Sequence, residues 1–549
     1  MRTFWTTFYS YKGGVGRSMA LSNVAALLVK KGRRVVLIDF DLEAPGLDSF
    51  SEFSEASGKP GVVEYVAEFR KNKIAPNIHS FVHSCKLPGP LPGKLWVMPA
   101  GKKDAAYNRE RTALDWEGLY ESGLGEPFIE NWKASIAAQF QPDYVLVDSR
   151  TGLTDVGGVC TLHLPDLVVM LFGLNDQNVR GIAAVAKTIR ESDHNRIPQI
   201  HYVASPVPNL STDKRGLMIE RFEAATETLG VKIESLIRYD FQVALHEELF
   251  VLQDVPVESQ LTRDYRDLLK KLIGFNRNGL DFLGIQVDEI VKSGESGRGE
   301  KLFSLLEREF EGRADAVFLM ARLRLASGSR IEAVQLAEKA LALDPTHRDS
   351  YQWLLAHFNS EKEPGKALAT CNLVVAHSEL IDKTRLAMIH HERGAAALAC
   401  NDIAAAIESF VFCLAEEERE PTPAMLMIAK FNLAEAKRRN GEKPPVAEWQ
   451  EIVSLFEQAG QTAETQLPNQ ANRLQAVHIA YALTDDIVRA RDVLVKAKQA
   501  AELLGDIEDL FTVKTYQRVS QPEFLEINEE MLLALDRGSL WDGFPVPQP

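Results

Sequence analysis

Cysteine is scarce in this chain and widely scattered: Cys85, Cys160, Cys371, Cys400 and Cys413 share no CxxC spacing. That spread argues against a disulfide framework or a thiolate zinc site and predicts buried free thiols. Long apolar runs are also missing. The stretch "LVVMLFGL" (167–174) falls far short of the roughly 20 residues that cross a bilayer. The opening "MRTFWTTFYSYKGG" has no apolar core of the signal-peptide kind. A soluble, cytoplasmic protein with no membrane role is expected. Positive charge is in deficit, with a formal net charge of −15, which argues against nucleic acid as a partner. The cluster "KKGRR" (30–34) is expected as a solvated helix end, where cations complement the helix dipole. The segment "RDYRDLLKKL" (263–272) could form a small basic face.

What is present begins with size. A chain of 549 residues, 45% hydrophobic and 25% charged, has ordinary globular composition and a length that implies about two to four domains. Its first half alternates short β-branched runs with amphipathic stretches, the pattern of a parallel sheet wrapped by helices. Strands are predicted at 3–9, 34–39, 94–100, 143–148, 166–172 and 200–205. Their near-continuous apolar character implies burial on both faces. Between the first two, "SMALSNVAALLVKKG" carries Leu21, Val24, Ala25 and Leu28 at helical spacing and stops at Gly32.

"SYKGGVGRS" (10–18) lies between that first strand and that helix, the context a phosphate-binding loop requires. Successive backbone N–H groups and a helix N-terminus together cradle phosphate oxygens. Gly13, Gly14 and Gly16 allow the backbone to turn tightly, and Ser18 is placed to coordinate magnesium. The usual pattern has Gly and Lys where this chain has Tyr11 and Arg17. Farther on, "LIDFDLEAPGLD" sets Asp39 and Asp41 at the carboxyl end of a strand, where ligands of open α/β folds bind. "DYVLVDSRTGL" ends an apolar strand on Asp148 and enters a Gly-containing loop, the form of a Walker B magnesium site with a switch loop. Any one of these carboxylates could be a helix cap; their convergence on one sheet edge favours a site.

These motifs resemble the ParA/MinD family of deviant Walker A P-loop ATPases, of the SIMIBI class. The family loop KGGxGK[ST] is matched at Lys12, Gly13, Gly14, Gly16 and Ser18. The resemblance continues through "LWVMPAG", "PDLVVMLFGLNDQNVRG" and "RYDFQVALHEELFVLQDVPV", over half the chain. It implies ATP and Mg2+ as cofactors and a nucleotide-dependent homodimer in which Lys12 reaches the partner's phosphates. Asp41 would activate the attacking water, Asp39 would shape the first switch and join the metal set with Ser18 and Asp148, and Thr151 and Gly152 would sense the γ-phosphate. Gly13, Gly14, Val15, Gly16, Arg17, Ser18 and Met19 would line the nucleotide. Arg17 keeps the charge of the missing lysine in a longer, forked side chain, which predicts slow hydrolysis or nucleotide retention. "HYVASPVPN" (201–209) yields no assigned adenine-reading Asn, although Asn209 is nearby, so ATP over GTP rests on the resemblance alone.

After about residue 275 the composition turns to Ala, Leu and Glu, with "KSGESGRGE" (292–300) as a polar break. "ADAVFLMARLRLASGSRIEAVQLAEKALALDP" (314–345) has Ala321, Ala333 and Ala340 where two helices of a hairpin must touch, and resembles a tetratricopeptide repeat. A period of about 34 residues carries Ala333 onto Ala367, with Ala406 and Phe410 recurring in a shifted register. The expected fold is an α/β N-terminal P-loop domain with a mainly parallel sheet, then an all-α repeat domain. The expected divisions are 1–275 nucleotide-binding, 276–312 linker with a connecting helix, 313–535 α-solenoid, and 536–549 flexible tail. Such arrays recognise proteins or peptides. The expected function is an ATP-binding, slowly hydrolysing, dimerising switch whose repeats recruit a partner; its architecture resembles bacterial signalling and anti-phage defence proteins. The alternative is a nucleotide-binding scaffold with little turnover.

Overall fold

The apolar runs of the first half fold as strands of one sheet in the computed structural model. The structure describes residues 2–152, 158–193, 196–208, 215–244, 248–253, 259–415, 423–460, 467–504, 511–513 and 517–542. The chain divides into two compact units, Met1–Phe310 and Glu311–Pro549. In the first unit the strands are β1 (Phe4–Ser10), β2 (Arg34–Asp39), β3 (His83–Cys85), β4 (Lys94–Met98), β5 (Tyr144–Asp148), β6 (Leu167–Phe172), β7 (Gln199–Val207) and β8 (Ser235–Arg238). They form an eight-stranded sheet in the order β3-β4-β2-β5-β1-β6-β7-β8. All pairs are parallel except β3 with β4. The edge strands β3 and β8 were not anticipated, because segments of three or four residues leave too short a pattern to read.

The period of two along each strand explains why the runs look uniformly apolar. Val35 and Leu37 of β2 enter one core with Leu146 of β5 and Leu21 and Val24 of α1 (Arg17–Lys30). Val36 and Ile38 enter a second core on the opposite face, with Val145, Val147 and the aromatic residues Tyr65, Phe128 and Trp132. Both faces are covered, so the strand positions are mostly apolar, with Thr6 and Thr7 of β1 among the buried polar exceptions. The helices that cover them are α1, α2 (Val62–Asn72), α3 (Tyr107–Thr112), α4 (Trp116–Glu121), α5 (Gly125–Phe140), α6 (Asp176–Arg190), α7 (Arg215–Leu229) and α8 (Gln260–Phe275). Two more, α9 (Leu280–Ser293) and α10 (Ser296–Glu309), complete the first unit, so residues 276–309 are mostly helical. The polar break after α9 is short: Gly294 ends that helix in the left-handed conformation, φ 72°.

Two expectations need correction. Arg33, read as part of a solvated helix end, is buried. Its Nε donates to Asp281 Oδ2 at 2.9 Å and its Nη2 to Asp281 Oδ1 at 3.2 Å, with the Tyr144 hydroxyl on the same carboxylate at 3.3 Å. A bidentate pair of this geometry ties α9 to the sheet. Cys400 is exposed and Cys413 half-buried, so burial holds for Cys85, Cys160 and Cys371 alone; none of the five forms a disulfide. On α8, Lys270 pairs with Asp267 and Lys271 with Glu234, which compensates the basic face.

His201 on β7 is buried, and its Nε2 lies 2.7 Å from the Ser235 hydroxyl. Burial, with Lys271 nearby, pushes its pKa down to about 4. The unfolded chain therefore binds the proton first, and stability present above about pH 6.5 drains away as pH falls toward 4. Between pH 7 and pH 5 the wild type should lose about 2 kcal/mol more than His201→Gln. Urea unfolding at the two pH values measures this; parallel losses would contradict it.

The second unit is mainly helical. Its helices are α11 (Ala314–Ala326), α12 (Arg330–Leu343), α13 (Arg348–Ser360), α14 (Pro364–Val375), α15 (Lys383–Ala399), α16 (Ile403–Ala415), α17 (Pro423–Arg439), α18 (Val446–Gly460), α19 (Leu467–Leu483), α20 (Ile487–Leu504) and α21 (Gln521–Asp536). A small hairpin, Phe511–Val513 with Gln517–Val519, precedes α21. Short turns join successive helices, as at Gly328, φ 84°, between α11 and α12. Ala321, Ala333, Ala340, Ala367, Ala406 and Phe410 are all buried. The Phe410 ring lies where a Cβ on Gly394 would fall, 2.6 Å away, so the missing side chain lets α15 and α16 approach. The last residues of the expected tail, 543–549, lie outside the described residues. Among the described residues, no helix is long and apolar enough to cross a membrane.

Candidate functional site

The sheet order reverses direction around β1, which lies between β5 and β6. In open α/β sheets, ligands bind beyond the carboxyl ends of strands at such a reversal. The loop from Tyr11 to Gly16 leaves β1 at this place and enters α1. Gly14 and Gly16 have φ 79° and 74°, a conformation that side chains strongly disfavour. Gly16 is the N-cap of α1, which carries no side-chain cap, so the first turn of that helix presents unsatisfied N–H groups. The Ser205 hydroxyl donates to Val15 O at 2.8 Å and holds the loop against β7. The Tyr11 ring fills the space beside Gly181 of α6; a Cβ there would fall 2.2 Å from the ring. That contact packs the ring against α6.

The expected carboxylates do converge. Asp39 and Asp148 are register partners on neighbouring strands β2 and β5. Both are fully buried, and Asp41 is nearly so. Asp39 accepts from the backbone N–H of Asp41 at 3.1 Å and of Leu47 at 3.2 Å, so it organises the loop after β2. Burial, reinforced by Asp148 nearby, raises its pKa well above the usual carboxylate range. Asp148 is also raised by burial, against the opposing pull of Arg17.

Arg17 is the first residue of α1 and only 8% exposed. Its Nε donates to Asp148 Oδ1, and its Nη2 donates to Asp41 Oδ2 at 2.8 Å. Asp148 Oδ2 accepts from the Ser18 hydroxyl at 2.5 Å. Lys12 Nζ donates to Gln177 Oε1 on α6. Met19 is buried in the first turn of α1. Thr151 and Gly152 end the described part of the loop after β5; Gly152 has φ 82°, and its carbonyl accepts from the Tyr9 hydroxyl at 3.1 Å. Asn209 lies outside the described residues.

Two features had no sequence signal. Gln177 contacts Lys12 across 165 residues of chain. Glu43, in the loop after β2, pairs with Arg150 after β5 at 2.6 Å and with Arg111 of α3 at 3.2 Å, so it links two loops that border the site. Among the described residues, no group of three or more His, Cys, Asp or Glu side chains is arranged to hold a metal ion unaided. The hydroxyl of Ser18 and the carboxylate of Asp148 nevertheless form a hard oxygen pair of the kind magnesium takes beside phosphate oxygens. Glycine-opened backbone, a helix N-terminus and a buried cation together fit a polyphosphate.

A mainly parallel sheet with this loop at its central strand defines a P-loop nucleotide-binding domain. The family model for the CobQ/CobB/MinD/ParA nucleotide binding domain matches residues 6–264, and the N-terminal domain is of that type. The septum site-determining protein MinD of Escherichia coli K12 is 22% identical over 274 residues, 49% of this chain and 90% of its own length. Among solved structures, the MinD cell division protein of Aquifex aeolicus is 18% identical and covers 50% of this chain and 97% of its own, with a TM-score of 0.35. MinD of Pyrococcus horikoshii, solved in complex with Mg-ADP, is 16% identical and covers 49% of this chain and 96% of its own, with a TM-score of 0.36.

Proposed function

We propose that the protein is an ATP-binding, slowly ATP-hydrolysing switch that dimerises with nucleotide and engages a protein partner through its helical C-terminal unit. The observation that carries this reading is the gathering of Arg17, Ser18, Asp41 and Asp148 around one glycine-rich loop. The backbone N–H groups of residues 13–17 would bind phosphate oxygens, with Lys12 leaving Gln177 to add its charge. Ser18 and Asp148 would hold magnesium, which when bound neutralises charge on the phosphates. Asp41 would orient a water molecule once Arg17 releases it. Asp39 would keep the loop after β2 in shape through its two backbone contacts. Phosphoryl transfer asks for little more than this positioning and charge neutralisation.

For the second unit we propose a tetratricopeptide-like array. Its helix pairs and buried small residues support that reading, as does a cavity of about 590 Å³ lined by Tyr351, Leu355, Arg385, Met388 and Ile428 among others. Chain division into residues 1–275, 276–312, 313–535 and 536–549 stays part of the same proposal.

Steady-state ATP hydrolysis in wild type, Lys12→Ala, Asp41→Ala and Arg17→Lys tests the enzyme reading. Lys12→Ala and Asp41→Ala should each lower turnover on the order of 100-fold. Equal background rates in all four proteins would sink it. The Arg17–Asp41 contact favours a second reading, a nucleotide-holding scaffold, because it occupies one oxygen of the water-orienting carboxylate. That reading expects nucleotide binding and partner capture to survive Asp41→Ala.

A further inference from the structure

A phosphate-loop cation at the start of a helix has one obvious destination, the ligand. Arg17 is turned elsewhere. Its guanidinium spans Asp148 and Asp41, and Asp148 also accepts from Ser18. The two oxygen donors that would serve a metal ion, and the carboxylate that would orient water, are thus gathered around one arginine. The third nitrogen of the fork, Nη1, is buried and has no hydrogen-bond partner.

We propose that Arg17 is an internal cation that occupies the metal's place while the site is free of nucleotide, so that the metal enters together with the phosphates and not before them. This rests on the nucleotide-binding reading of the site. Three carboxylates, Asp39, Asp41 and Asp148, meet at one buried sheet edge, and a cation among them relieves their mutual repulsion in a low dielectric. A guanidinium meets that requirement in a way an ammonium cannot. Its planar fork donates from separate nitrogens to both carboxylates at once, whereas lysine offers one point charge. Magnesium gives up its water reluctantly and relies on phosphate oxygens to complete its shell. Alone, it has to displace a buried, doubly bonded arginine that has no other anion to move to.

Arrival of a phosphate supplies that anion. Nη1 is the donor already available, and guanidinium matches phosphate with paired hydrogen bonds. As Arg17 swings from carboxylate to phosphate, Asp148 is released to hold the metal with Ser18, whose hydroxyl already lies against it, and Asp41 becomes free for water. The residue that departs from the usual lysine would then make the order of loading obligatory.

The test uses full-length protein freed of metal with EDTA and titrated with Mn2+, free Mn2+ being read by its EPR signal. Without nucleotide, wild type should bind Mn2+ at least tenfold more weakly than Arg17→Lys and Arg17→Ala. With ADP present, the gap between wild type and Arg17→Lys should close. Equal Mn2+ affinity in wild type and variants without nucleotide would overturn the proposal. Should both variants fail to fold, wild type decides: after subtraction of the Mn2+ that ADP binds in a protein-free titration, Mn2+ affinity unchanged by ADP overturns the ordered loading, and a tenfold gain supports it. Radiolabelled ADP binding, scored separately with Mg2+ and in EDTA, tests the nucleotide reading itself. Protein that never retains ADP loses that reading, while the nucleotide-free Mn2+ comparison still judges the arginine.

Discussion

Arg17→Met should cost the N-terminal unit about 3–5 kcal/mol in metal-free buffer, the usual result of removing one partner from a buried ion pair. The change leaves Asp148 and Asp41 without their cation, beside a third buried carboxylate at Asp39. Against a total stability of about 5–15 kcal/mol, that is a large fraction. The sign of the pH dependence follows from the same charges. Asp39 and Asp148 already have raised pKa values in the folded state, and loss of Arg17 raises Asp148 further. A carboxyl whose folded pKa lies above its unfolded value stabilises at low pH and loses that contribution as pH rises through the folded value. The variant's deficit should therefore be larger at pH 8 than at pH 5.5. Arg17→Met with Asp148→Asn should recover part of the loss. Urea unfolding followed by circular dichroism reads all three proteins, and a deficit that shrinks as pH rises would contradict the electrostatic account.

Gly61→Ala should be at least as severe, for a reason unrelated to charge. Gly61 caps α2, and a Cβ there would fall 1.8 Å from Pro99 O and 2.6 Å from Pro99 C. Both are backbone atoms, so no side chain can rotate away. The contact is close because α2 docks through its own first turn: Val62 N–H donates to Pro99 O and Val63 N–H to Ala100 O, each at 2.9 Å. Glu64 secures the turn by accepting from Gly61 N at 2.8 Å and Lys102 N at 3.0 Å. Accommodating a methyl group means pulling α2 off the loop after β4 and opening the core around Tyr65 and Phe69. A loss above about 4 kcal/mol is expected, in the range reserved for disrupted cores. Gly58→Ala is the internal control. Its Cβ would meet open space, and only its φ of 69° is unfavourable, a cost nearer about 1 kcal/mol. Thermal melts of the two variants should differ widely; similar melts would refute the steric argument.

The fold was legible where one local rule acted alone. Six of the strands could be read because burial on both faces leaves an unbroken apolar run, and α1 could be read from its spacing and from Gly32, φ 82°. The edge strands β3 and β8 were too short to leave that trace. In the site, Asp39, Asp41 and Asp148 were legible together because strand ends in a parallel sheet deliver their next residues to one edge. The helical character of the second unit was equally plain in its Ala and Leu spacing.

The partners of the cations were another matter. Lys12 and Arg17 were both expected to face phosphate, yet one rests on Gln177 and the other on Asp41 and Asp148. Arg33, expected in solvent, is buried on Asp281. These contacts join residues 24, 131, 165 and 248 positions apart, and a long flexible side chain carries no periodicity that says where its end will go. Composition and spacing along the chain were sufficient for strands, helices, the glycine loop and the sheet edge where carboxylates meet, because each depends on backbone geometry and burial of near neighbours. Which anion holds which cation depended on distant segments being brought together, since charge pairing in a buried site is settled by three-dimensional proximity and desolvation.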